Sequence, residues 1–120
     1  MNESEMKERT KTFALRILTL AEALPRTRSG TTIANQIVRS GTSVGANYRA
    51  LCRAKSRADF IHKTSVVEEE ADETGFWLEL VIASKLLSAA QINPLLQEAN
   101  ELTAIAVATR KTASSRKQWQ

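Results

Sequence analysis

At 120 residues with a single cysteine, Cys52, the chain is one domain with a modest core and no intrachain disulfide, which makes a reducing cytoplasm the default compartment. Aromatics are only 5% and prolines number two, against an apolar set of Ala, Leu, Ile and Val, so helices are favoured over a sheet. The net charge of +4 is mildly basic, the opening MNESEMKERTK is not a secretory signal, and the apolar stretches near Phe76–Ala83 and Ala104–Ala108 are too short to span a bilayer, which predicts a soluble protein with no membrane partner.

Met6, Thr10, Phe13, Ile17, Leu20 and Leu24 form an apolar stripe that predicts a first helix from about Glu3 to Leu24, stopped by Pro25. The loop PRTRSG follows, and hydroxyl residues between Ser29 and Thr32 can cap a second helix. In that helix Ile33, Ile37, Ser40, Val44, Asn47 and Leu51 recur at intervals of four and three. Gly41 and Gly45 sit on one face beside the stripe. They could mark a loop, but the stripe crosses them without a phase break, so a continuous helix whose glycines admit a neighbouring backbone is preferred. The helix is expected to end near Lys55. Ser56 and Asp59 then read as a capping box for a third helix, about Arg57 to Leu87.

Two long helices joined this tightly are antiparallel. A hairpin folded at about residue 56 sets Asn47 opposite Ser65, Ser43 opposite Glu69, and Ser40 or Arg39 opposite Glu73. Buried polar groups need partners, so a polar layer of Ser40, Ser43, Asn47, Glu69 and Glu73 is expected inside the hairpin. The inner stripe of the third helix is Phe60, Thr64, Val67, Ala71, Thr74, Leu78 and Val81, while Phe76, Trp77 and Leu80 fall off it. That wide apolar arc predicts an oligomer interface, although a thicker core could absorb it.

Asn93-Pro94 reads as a cap followed by Pro at the first helical position of a fourth helix, with Leu95, Ala99, Leu102, Ala106 and Thr109 inward. Four amphipathic helices with short joints predict an all-α, antiparallel up-down-up-down four-helix bundle over residues 1–111, and residues 112–120 a disordered basic tail.

No catalytic constellation is visible, and the chain reads as a non-enzyme with no cofactor. His62 is the only histidine, and no Glu-x-x-His pair accompanies the acids Glu68, Glu69, Glu70, Asp72, Glu73 and Glu79, so no metal site is expected. Cys52 reads as an idle thiol. The basic residues concentrate instead. Arg49, Arg53, Lys55, Arg57 and Lys63 surround the second turn with Asp59 as the only acid, and Arg110, Lys111, Arg116 and Lys117 belong to the same end of an up-down bundle. Such a pole suits RNA or DNA backbones without sequence readout. Arg49, Arg53, Lys55, Arg57, Lys63, Arg110 and Lys111 are the candidate nucleic-acid contacts, against the plainer alternative of a solvated surface.

RSGTSVGANYRA, SRADFIHK and EEADETGFWLEL, in that order, resemble the bacterial four helix bundle protein family, also called the 23S rRNA intervening-sequence protein family. The resemblance runs from about Lys7 to Arg110. It implies an up-down-up-down bundle, often a homopentamer, and, through relatives that are accessory proteins of diversity-generating retroelements, an association with nucleic acid or a reverse transcriptase. Two functions follow as expectations: an oligomeric adaptor that uses its basic pole, or a purely protein-binding, structural homo-oligomer.

Overall fold

A computed structural model describes residues 1–115. Four helices follow one another: α1 (Glu3–Ala23), α2 (Arg28–Leu51), α3 (Arg57–Ala83) and α4 (Ala89–Ser115). They make the expected antiparallel four-helix bundle, 51 Å long and 23 by 19 Å across. Consecutive helices pack extensively, whereas α1 and α4 meet at few points. The core is continuous, with Phe13, Ile17, Ile37, Leu78 and Ile92 fully buried. The predicted stripes point inward, except that Leu20, Asn47, Phe60 and Thr109 are only half-buried.

The helix ends differ from the sequence expectations, each for a local reason. Asn2 caps α1 and Glu5 returns the bond to the Asn2 backbone. Thr27, not Ser29–Thr32, caps α2 by accepting from the Gly30 N–H at 3.1 Å. Gly30 cannot carry a side chain here, because a Cβ would lie 1.9 Å from the Pro25 carbonyl oxygen. α2 is continuous through both glycines but stops at Leu51. Its last turn tightens through bonds from Arg53 N–H to the Ala50 carbonyl and from Ala54 N–H to the Leu51 carbonyl.

α3 stops at Ala83 rather than Leu87. Lys85 takes a left-handed φ of 61°, and the Leu86 N–H reaches back to the Val81 carbonyl, a Schellman ending with Lys in the place usually held by Gly. α4 begins at Ala89, ahead of Asn93. Ser88 and Gln91 form its capping box, at 3.2 and 3.1 Å. Pro94 therefore lies inside the helix, where it forfeits one backbone hydrogen bond. α4 also runs past the expected limit at Lys111 to Ser115, and Ala113 is buried. The rest of the expected tail, residues 116–120, lies outside the described residues.

Ser56 caps α3 as expected, accepting from the Asp59 N–H at 3.0 Å, but the Asp59 carboxylate does not answer to Ser56. It accepts from the Lys55 N–H at 3.0 Å and from the Lys63 ammonium at 2.7–2.8 Å. The Lys63 bond and then the Lys55 bond hold the Asp59 carboxyl below its usual range. A depressed folded pKa contributes stability above the unfolded value and loses it as pH falls through the folded one. Acid titration of the melting temperature should therefore show a loss below about pH 3.9 that is smaller in Asp59→Asn. Equal losses in both proteins would remove Asp59 as its source.

Candidate nucleic-acid interface at the turn pole

The α2–α3 turn, the start of α1 and the end of α4 share one end of the bundle. Arg57 shows this directly: its Nε donates to the Ala113 carbonyl at 2.9 Å, and the same guanidinium donates to the Ser114 carbonyl. These carbonyls belong to the last turn of α4, which has no helical N–H to receive. Arg57 therefore caps α4 and is no longer an available phosphate contact. Lys63 is closed on Asp59. The Arg110 Nε donates to Glu68 at 2.8 Å, which raises the guanidinium further above its ordinary range. Three of the seven candidate contacts are thus structural.

The other four, Arg49, Arg53, Lys55 and Lys111, are exposed and carry no ion pair among the described residues. Lys11 joins them and was missed. It lines a groove between α1 and α2 with Arg49, over a floor that includes Gly45 and Ala46; Glu8 is the acid in that groove. The signal lay in the exposed spacing of Lys7 and Lys11 on α1, but only the glycine-permitted approach of α1 to α2 brings Lys11 beside Arg49. Positive charge therefore runs from the turn up the α1–α2 groove.

The polar layer differs from the expected one. Ser40 is fully buried, and its partner is the Thr74 hydroxyl at 2.9 Å rather than Glu73. Asn47 is half-buried and donates to the Ser43 carbonyl of its own helix at 2.9 Å. Ser43 likewise donates to the Arg39 carbonyl, and Glu69 is exposed. The one cross-hairpin prediction that holds is Arg39 against Glu73. Arg39 also reaches Glu70 at 3.3 Å, and Glu73 accepts from the Trp77 indole N–H at 2.9 Å.

Of the proposed interface residues, Phe76 is 51% exposed, while Trp77 and Leu80 pack partly against the core. Phe76 and Trp77 meet edge to face, with centroids 5.1 Å apart. His62 is exposed. Burial pushes the Cys52 thiol up, only partly offset by Tyr48, which keeps it protonated and a poor nucleophile. No group of three His, Cys, Asp or Glu side chains among the described residues could hold a metal ion. Nor is any described helix long and apolar enough to cross a membrane.

The comparisons agree with this architecture. No curated protein matches the chain. A crystal structure of a protein with unknown function, from the S23 ribosomal protein family of Bacteroides thetaiotaomicron VPI-5482, superposes with a TM-score of 0.84 at 35% identity, covering 92% of this chain and 99% of that one. The family model for the 23S rRNA-intervening sequence protein matches residues 2–108, nearly the whole bundle, and the chain belongs to that family.

Proposed function

We propose that this bundle is a non-catalytic homo-oligomer that binds RNA or DNA backbones through the turn pole. The observation that carries this is the set of exposed cations without ion pairs among the described residues, Arg49, Arg53 and Lys55, around a turn whose single carboxylate, Asp59, is already held by Lys63. Cations unpaired within the protein are the ones whose counterions a phosphate backbone can displace. Membership of a family described by a 23S rRNA intervening sequence supports a nucleic-acid setting. A reverse transcriptase is a fitting protein partner, because it shares that ligand.

The test is salt dependence. The double variant Arg53→Ala, Lys55→Ala should weaken duplex binding and flatten the slope of log affinity against log salt by about 1.8, from about 0.9 for each lost phosphate contact. Arg57→Ala should instead lower thermal stability and leave the slope unchanged, since its guanidinium is committed to the end of α4. No binding of duplex DNA or RNA at low salt would favour the second reading, a protein-only structural oligomer, for which the half-exposed Phe76 is the specific observation.

A further inference from the structure

Only four large apolar side chains among the described residues are exposed: Met1, Leu15, Leu18 and Phe76. Two of them sit on complementary features. Because α1 and α4 meet so little, a groove of about 440 Å³ opens between them, lined by Leu15, Leu20, Leu87 and Leu95, with Arg16 and Gln91 among its polar members. Arg16 has no ion pair among the described residues, and Glu22 is the only acid on α1 beyond Lys11. On α3, Glu69, Asp72, Phe76, Glu79 and Ala83 repeat at intervals of three and four, and all five are exposed. They form an outward ridge in which one phenyl ring stands between carboxylates that carry no ion pair among the described residues.

We infer that the α3 ridge of one copy docks into the α1–α4 groove of the next, with Phe76 in the apolar floor and Asp72 and Glu79 towards Arg16. This rests on the homo-oligomer proposed above and specifies how it is built. The occupant follows from complementarity: the groove is apolar and flanked by a cation that has no ion pair among the described residues, and the ridge presents one phenyl ring flanked by carboxylates that have none either. The levels also match. The groove joins the last half of α1 to the first turns of α4, and Phe76 lies in the last third of α3. Both are in the half of the bundle away from the turn pole, so docking leaves neighbouring axes parallel and all the basic poles on one side. The two surfaces are different faces of the chain, so the contact is head-to-tail. Such contacts propagate from copy to copy and form a ring where the rotation closes.

A head-to-tail contact has a signature that a two-fold contact lacks. Leu15→Glu damages only the groove and Phe76→Glu only the ridge; both side chains are already more than half exposed, so both variants should keep the wild-type circular dichroism spectrum. In light scattering at tens of micromolar, each variant alone should fall from the wild-type assembly to the 13.3 kDa protomer. An equimolar mixture should return to twice that mass and no further, because it holds one intact ridge and one intact groove. If Phe76→Glu alone disassembles while Leu15→Glu assembles normally, the contact is Phe76 against Phe76 and the inference is wrong. A mixture that stays monomeric also overturns it. A wild-type protein that is itself monomeric would overturn the oligomer reading along with it.

Discussion

Gly41→Ala should destabilise the bundle by about 1–3 kcal/mol, although Ala is worth about 1 kcal/mol over Gly in a free helix. The reason is Ile17. A Cβ on Gly41 would lie 2.7 and 2.8 Å from the two γ carbons of Ile17, inside any real contact distance. Ile17 is fully buried and cannot swing into solvent. α1 and α2 must therefore part or Ile17 must leave its rotamer. The pair can be tested as a cycle. Ile17→Ala alone should cost about 2–5 kcal/mol through the cavity it leaves. In that background the new methyl fills part of the cavity, so the double variant should be more stable than the sum of the single effects by at least about 1 kcal/mol. Urea unfolding midpoints would measure all three. A Gly41→Ala protein that unfolds at higher urea than wild type would show that the helices have slack at this level.

Arg9→Met should have an effect of about 2–3 kcal/mol, the loss of hydrogen bonds between charged groups in a partly desolvated site. Arg9 spans the sparse α1–α4 seam. Its Nε and one terminal nitrogen clasp Glu98 at 2.7 Å each, and that terminal nitrogen also reaches Glu101 at 2.8 Å. The Glu98 bond, above all, raises the guanidinium above its ordinary range. Side-chain exposures of 22% for Arg9 and 17% for Glu98 separate this pair from ordinary surface ion pairs, which contribute little. Removing Arg9 leaves two carboxylates one turn apart on α4 with no ion pair among the described residues. Adding Glu98→Gln should recover part of the loss in thermal unfolding. If Arg9→Met melts with the wild type, the seam is closed by its apolar contacts alone.

The bundle was legible because hydrophobic spacing is a repeated signal: a stripe of six or seven positions survives an error at any one of them. Helix ends rest on single residues and were less so. The stop at Lys85 carries no glycine, and the start at Ser88 was hidden behind Asn93-Pro94, a stronger-looking cap signal that turned out to lie inside α4. The basic pole was legible as a concentration of charge, but not the fate of each cation. Whether Arg57 meets solvent or the Ala113 carbonyl depends on where α4 ends, and α4 outran its expected end by four residues. Asn47 was misplaced for a different reason. Alignment along a hairpin assumes that polar side chains look across it, and Asn47 looks along its own helix.

That habit is general in this chain and has a consequence for specificity. Thr10, Thr42, Thr64, Thr74, Thr103 and Thr109 all donate to the carbonyl four residues back. Hydroxyls satisfied within one helix carry no information about its neighbour. A helix slipped by one turn would leave those groups as content as before, so they impose no penalty on wrong alignments. Apart from Ser40 with Thr74 and the cross-helix ion pairs of Arg9, Arg39 and Arg110, registry inside the bundle is therefore written in shape: Ile17 fits against Gly41 and Thr10 against Gly45, and no other pair of turns on α2 offers those two notches four residues apart.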